Sequence, residues 1–303
     1  MLGAEYLHGN IDLATFRGIG VPGQPPALLR VEDEHREVIS VFVQDQIELT
    51  PMLHLTLGLR RDDNKDVGER VTPRTSLVWQ PAENHLFKVQ YAEGHRAPTF
   101  FELYLVRGAQ LAYEVNQTTE FSYIYRQPGR VLRATLYGSR IDDMIFLDPR
   151  LRGFGNVAKA RSQGTELEWS ERFSERVHLD ATLTYTDAED NRKLPAMVMR
   201  PQITTPHLIG SLGLRWQTSD RTGLGLTWNH VGDRAGATLG DGSYERIDLS
   251  ASLNGWLHPQ LDLRVGIDNV FDQRTVSLLT GPNGTTNLDY QDRICWVELR
   301  WRY

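Results

Sequence analysis

The chain has 303 residues, 24% charged and 40% hydrophobic, with 26 Gly, 14 Pro and a single cysteine, Cys295, a composition that excludes a disordered or disulfide-built chain. With 33 Lys and Arg against 39 Asp and Glu, the net charge is −6, so there is no electrostatic reason to bind nucleic acid. A mean hydropathy of −0.42 and the lack of any apolar run near ~18 residues exclude spanning helices, but not a membrane barrel, whose strands need ~10 residues with every second one apolar.

The first ten residues, MLGAEYLHGN, lack the basic and apolar regions of a signal peptide. Either the protein is not exported, or the chain begins partway through a longer one. In chain order, a strand fragment at 4–7 is followed by one near 38–49. Next, Leu53, Leu55, Leu57 and Leu59 alternate with His54, Thr56 and Gly58, the period of a strand with one oily and one wet face. Similar runs occur near 74–80, 86–92, 119–127, 131–142 and 163–170. Val177, Leu179, Ala181, Leu183 and Tyr185 alternate with His178, Asp180, Thr182 and Thr184; runs near 207–217, 222–230 and 245–254 follow. Leu261, Leu263, Val265 and Ile267 form the next strand, and 292–303 the last. No comparable 3.6-residue period appears, so the chain reads as about fourteen consecutive strands.

Tight turns at 50–51, 80–84, 127–129, 172–175, 218–221 and 255–259 alternate with long connections at 9–35, 62–71, 94–116, 143–160, 187–205, 231–243 and 272–290. A soluble sandwich has no reason to sort its loops this way, whereas an outer-membrane barrel has short turns on one side and longer loops on the other. Closing about fourteen strands also leaves a lumen too wide to fill with side chains, so the polar face must look inward to water and the apolar face outward to lipid. Trp79, Trp169, Trp216, Trp228, Trp301 and Tyr303 are expected near strand ends as an interfacial girdle. The expected fold is therefore all-β, an antiparallel, transmembrane, up-and-down β-barrel. In the last strand, Cys295, Val297, Leu299, Trp301 and Tyr303 share one face. This is similar to the C-terminal signal by which bacterial outer-membrane barrels are recognised for assembly, with Val297, Leu299, Trp301 and Tyr303 as its residues.

Several segments resemble the barrel of TonB-dependent outer-membrane receptors: VFVQDQIELTPMLHLTLGLRRD at 41–62, YAEGHRAPTFFELY at 91–104, GNVAKARSQGTELEWS at 155–170, PQITTPHLIGSLGLRW at 201–216 and IDNVFD at 267–272. They follow the family's order along the chain. The resemblance implies about fourteen strands of a larger, about 22-stranded barrel, in one partial, C-terminal barrel domain over residues 1–303. The family's plug domain, TonB box and signal peptide have no counterpart here, so a fragment, a truncated gene or a misassigned start is expected, unable to transport alone. The implied function is uptake of a scarce nutrient across the bacterial outer membrane, in the first place a ferric siderophore, energised by TonB through the missing N-terminal part. The partners implied are outer-membrane lipid and lipopolysaccharide, the barrel-assembly machinery and a siderophore-like small molecule. A passive, porin-like pore formed by a smaller closed barrel is the alternative.

In the box at 91–104, Gly94 and Pro98 bracket the exit of a strand into a long loop, with Ala97 between Arg96 and Pro98. Arg96 is expected to hold that corner through a carboxylate such as Glu102. His95 stands where the family usually has Phe. In haem receptors of the family a ligating His lies in the loop after the box; residues 99–116 contain none, which disfavours haem. Phe100, Phe101, Tyr104, Arg107 and Tyr113 are candidate contacts to an aromatic or anionic iron chelate by stacking and charge, or simply pack the loop. The nine His show no metal-site spacing, and no metal, cofactor or catalytic residue is assigned. His178 with Asp180 is read as polar lumen lining in preference to the pair of a barrel hydrolase. The charge runs at 60–66 and 187–193 are expected to be solvated loop tips, and the Gly-rich stretches at 232–242 and 280–287 mobile loops.

Overall fold

The computed structural model describes residues 1–17, 28–104, 110–148, 153–191, 200–201, 205–234, 242–273, 275–281, 284–290 and 292–302. The elements are β1 (Leu2–Arg17), β2 (Leu28–Thr50), β3 (Leu53–Asn64), β4 (Gly68–Ala82), β5 (His85–Arg96), α1 (Phe100–Tyr104), β6 (Glu114–Gln127), β7 (Arg130–Asp148), β8 (Gly153–Ser174), β9 (Val177–Asp190), β10 (Arg200–Pro201), β11 (Leu208–Gln217), β12 (Thr222–Val231), β13 (Tyr244–Leu253), β14 (Leu261–Asp268), β15 (Thr275–Gly281), β16 (Gly284–Tyr290) and β17 (Ile294–Trp301). Fourteen strands, β1 to β9, β11 to β14 and β17, pair antiparallel with their neighbours in chain order, while β10 adds a short rung to β9 and β15 pairs β16 in a separate hairpin. Among the described residues β1 pairs only β2 and β17 only β14, so the sheet is an open part of a barrel wall. The smaller closed barrel of the alternative reading is not formed.

Register confirms the two faces. Leu132, Trp169 and Ala181 lie across from one another on β7, β8 and β9, as do Ala134, Leu167 and Leu183; this apolar row stays exposed, at 45% for Leu167 and 41% for Leu183. Exposed leucine and valine in unbroken rows are what a hydrocarbon solvent requires and water does not. The opposite face carries paired polar groups, including Ser122 with Thr135 at 3.0 Å and Arg133 with Glu168 at 3.2 Å. On β17, Val297 and Leu299 pair Val265 and Leu263, and Trp301 pairs Leu261, on the outward face. Tyr303 lies outside the described residues.

Aromatic side chains gather at the short-turn end of this band. Trp79 stacks on Phe87 at 5.3 Å, Phe87 meets Tyr123 at 5.0 Å and Trp301 stacks on His258 at 5.0 Å. Trp228 lies on β12 beyond this belt, toward the long-loop end, where it stacks on His230 at 6.0 Å. Next to the short turns the ladders slip register, at Glu48/Thr50, Trp79/Ala82 and Arg172/Ser174, and Gly129 turns the β6–β7 hairpin with φ of 81°, a conformation that costs glycine nothing.

The other end departs from the expectation. Several of the long connections are mostly strand: β1 runs on to Arg17 and β2 starts at Leu28, β3 and β4 are joined by residues 65–67 alone, and β7 and β8 extend to Asp148 and from Gly153. The alternating pattern fades where lipid ends, because beyond the bilayer both faces of a strand meet water or other polar groups and every second residue no longer has to be apolar. The charge run at 60–66 is accordingly strand as far as Asn64, and only its last two residues, Lys65 and Asp66, lie in the turn. Arg60 and Asp62 sit on β3, and Asp62 and Asn64 are buried at 3% and 2% exposure. Of the stretch at 280–287, residues 280–281 and 284–287 belong to the arms of the β15–β16 hairpin, where the glycines masked the strand signal of the Thr, Val and Leu around them; residues 282–283 lie outside the described residues. The run at 187–193 is in β9 through Asp190; residues 192–193 lie outside the described residues, as do 235–241 of the other Gly-rich stretch.

Candidate functional site

β5 leaves the sheet at Arg96 and the chain turns into α1. Thr99 and Glu102 cap that turn reciprocally: the Thr99 N–H donates to Glu102 Oε2 at 2.7 Å, and the Glu102 N–H to Thr99 Oγ1 at 3.2 Å, a capping box. The same carboxylate takes a two-pronged bond from Arg96, Nη1 to Oε2 at 2.9 Å and Nη2 to Oε1 at 3.0 Å. Arg96 Nε donates to Glu114 Oε2 on the returning strand at 2.6 Å. Burial works to raise the Glu102 carboxyl, but Arg96 and the two Thr99 donors outweigh it and hold it below the ordinary carboxylate range. Two carboxylates on one planar guanidinium fix the angle at which the chain leaves β5.

A second arginine pins the corner from β2. Arg36 Nη2 donates to the carbonyl of fully buried Pro98 at 2.7 Å and its Nε to Asp66 at 2.8 Å. Its guanidinium lies 4.8 Å from the centroid of Phe100, within cation–π range. His95 meets Tyr113 edge-on at 4.7 Å, with Nε2 3.5 Å from Asp62, so the histidine keeps an aromatic contact and adds a polar one. Asp62 also accepts from Ser40 at 2.5 Å and Arg60 at 3.0 Å.

The candidate contact residues divide. Phe101 packs edge-on against Phe154 at 5.7 Å. Tyr113 is 6% exposed and its hydroxyl donates to the Gly68 carbonyl at 3.1 Å; burial raises its phenol. Tyr104 ends α1, its side chain outside the described residues together with Arg107. Gly94 lies within β5 with open space where a side chain would stand, and Ala97 follows the strand half-buried. Thus Arg96, Pro98, Glu102, Phe100 and Tyr113 converge on one corner.

Sequence reasoning did not single out Arg36, Glu114 or Asn156, which hold the same corner. Asn156 stands in the Gly-Asn-Val stretch that resembles the family and was detectable there; Arg36 and Glu114 carry no local pattern. Elsewhere on the wall, His178 Nε2 lies 3.0 Å from Asp180 Oδ2, while the Ser170 hydroxyl and Arg215 donate to the same Asp180 at 2.8 and 3.0 Å. The serine is bonded to the carboxylate and not to the histidine, an arrangement of wall polar groups and not of a nucleophile with its base. Among the described residues no three His, Cys, Asp or Glu side chains are grouped to hold a metal ion.

The sequence model of the family described as TonB dependent receptor-like, beta-barrel matches residues 2–270. The ferric enterobactin receptor of Pseudomonas aeruginosa is 24% identical over 90% of this chain and 43% of its own length. The iron-regulated outer membrane virulence protein of Vibrio cholerae is 26% identical over 77% of this chain and 40% of its own. The chain thus spans less than half the length of the curated relatives it matches. Among solved structures, a variant of the ferric enterobactin receptor of Pseudomonas aeruginosa aligns over 99% of this chain and 50% of its own, with a TM-score of 0.73 at 21% identity. The siderophore receptor PiuA of Acinetobacter baumannii aligns over 92% of this chain and 46% of its own, with a TM-score of 0.72 at 19% identity.

Proposed function

The chain belongs to the TonB-dependent receptor-like β-barrel family, and on that premise we propose that it forms barrel wall and extracellular loops of a bacterial outer-membrane receptor for TonB-energised uptake of a ferric siderophore. The family match across residues 2–270 carries this reading. The relatives' names support an iron-chelate ligand, ferric enterobactin foremost; they do not support a passive pore. The outward apolar rows fit a lipid partner, and the long-loop end, where the strands outrun the bilayer, is the side a ligand meets first.

The work of such a receptor is binding and conformational change, with no covalent step. Phe100 and Phe101 at the base of the β5–β6 loop, with Tyr104, Arg107 and Tyr113, are proposed to serve an aromatic, anionic iron chelate through ring faces and charge, the buried Tyr113 acting from beneath. Arg96, Glu102 and Pro98 hold the loop at its exit angle. On this reading TonB is the energising partner, lipopolysaccharide borders the long-loop end, and Val297, Leu299, Trp301 and Tyr303 address the barrel to its assembly machinery.

The test is titration of the folded, detergent-solubilised protein with ferric enterobactin and with a ferric trihydroxamate, read by quenching of tryptophan fluorescence. Saturable quenching by a ferric chelate supports the reading. A folded protein that neither chelate quenches, but that gives steady conductance in planar bilayers, contradicts it.

A further inference from the structure

The ladder between β7 and β8 contains two slips that cancel. Ile141 pairs Ala160, but Met144 pairs Ala158 and Ile145 pairs Asn156: one extra residue bulges from β7 and, one step on, one from β8. Asp143 lies in the β7 bulge with φ of 56°, a backbone state that a side-chain-bearing residue adopts only when its surroundings compensate. A bulge of this kind leaves backbone groups without ladder partners, and buried ones must find others.

The compensation comes from two side chains, and both also hold the loop between β5 and β6. Asn156 Nδ2 donates to the Asp143 carbonyl at 2.6 Å and to the Ala112 carbonyl at 3.0 Å, while its Oδ1 accepts the Ala112 N–H at 2.8 Å. One amide therefore imitates a strand partner for Ala112 and caps the strained carbonyl. Glu114 works from the other side of the bulge, where Oε1 accepts the Ile145 N–H at 2.6 Å and Oε2 takes Arg96 Nε at 2.6 Å. Arg96 in turn grips Glu102, which caps α1. A continuous chain of bonds runs from the first turn of α1 through Arg96 and Glu114 to β7, and back through Asn156 to the last residues of the loop.

We propose that Asn156 and Glu114 form a latch that locks the two described ends of the β5–β6 loop, at α1 and at Ala112, to the β7 bulge, so that these ends and the bulge shift as one unit. On the reading that this loop serves an iron chelate, both are positioning residues for capture, and the bulge is the element through which a displacement at α1 reaches the β7–β8 hairpin. Neither side chain has to touch ligand. Either acts by fixing where Arg96, α1 and Ala112 stand relative to the wall, and a bulge with its own strained residue can relax into regular pairing once the latch lets go.

Hydrogen exchange of individual backbone amides in the folded, detergent-solubilised protein tests this without any ligand. Asn156→Ala is expected to speed exchange at Ala112 roughly tenfold, as loss of a net hydrogen bond does, and at Ile145 as well, although Asn156 does not bond Ile145. Glu114→Gln keeps an acceptor for Ile145 but loses the charge on Arg96, and is expected to speed exchange at Ala112 and Glu102. The mid-strand amides of β9 are expected to be unchanged in both, which separates unlatching from general unfolding. Effects confined to each variant's own partner amides would overturn the latch, as would faster exchange spread evenly over the sheet. Ferric enterobactin titration of the same samples keeps the two readings apart: coupled exchange without chelate binding in the parent protein leaves the latch standing and removes the proposed ligand.

Discussion

Tyr137 lies across Gly164. The two are direct cross-strand partners on the inner face of β7 and β8, and the tyrosine hydroxyl reaches past the glycine to share a 2.7 Å hydrogen bond with Thr186 Oγ1 on β9. A side chain at Gly164 would meet the carbonyl oxygen of Tyr185 and stand 2.6 Å from the Tyr137 hydroxyl. The same device recurs where Trp296 covers Gly266. An aromatic ring laid over a strand glycine restores the packing that the glycine alone would lack.

Gly164→Val should therefore destabilise the folded barrel wall by about 1–3 kcal/mol, the usual cost of overpacking. Tyr137→Phe, which removes only the bond to Thr186, should cost about 1 kcal/mol. Urea unfolding followed by tryptophan fluorescence checks both; equal stability of Gly164→Val and the parent would contradict the packing assigned to this pair.

The Arg96–Glu102 pair sets a pH dependence. The carboxyl is held below its ordinary value in the fold, so its contribution is fully present above the unfolded carboxyl value of about 4.3 and is lost as pH falls through the lower, folded one. The gap in thermal midpoint between the parent and Glu102→Gln should be constant from about pH 8 to 5 and shrink below about pH 4. A gap that persists unchanged at pH 3 would show that the charge of Glu102 is not what holds the corner. Arg96→Lys should recover only part of the parent's stability, since an ammonium cannot span both carboxylates as the guanidinium does.

The outward set on β17 separates assembly from stability. Val297 and Leu299 are 71% and 58% exposed, so Val297→Ser removes little packing from the fold. If these residues are read as an address, Val297→Ser and deletion of Tyr303 should lower the amount inserted in cells several-fold while leaving refolding of purified protein into detergent unchanged. Equal losses in both settings would make their role one of stability alone.

How legible all this was in the sequence follows from what imposes a pattern. Leu179, Ala181 and Leu183 were readable as one face because hydrocarbon constrains every second residue over a full crossing. Asp62, just beyond the apolar rows, looked like a loop residue because its burial comes with partners on other strands, Ser40 and His95, which leaves no period in the local sequence. The pairing of Arg96 with Glu102 was within reach, six residues apart in one box. The joint role of Glu114 and Asn156 was not, because besides Arg96 and Ala112 they bond backbone groups at a bulge, and a bulge is a property of two paired strands. Asn156 has one local trace, its place after Gly155 in a stretch that could be matched to a family.

The most direct test of the membrane assignment is a nitroxide scan of β9. With Cys295 replaced by serine, single cysteines introduced from Val177 to Tyr185 are labelled and the protein reconstituted in phospholipid vesicles. Collision with oxygen, which concentrates in hydrocarbon, is expected to peak at 179, 181 and 183, and collision with a water-soluble nickel chelate at 178, 180, 182 and 184, a two-residue alternation in opposite phase. Loss of that alternation, or its reversal so that Leu179 and Leu183 meet the nickel chelate, would contradict a wall with hydrocarbon on its leucine face and water on the other.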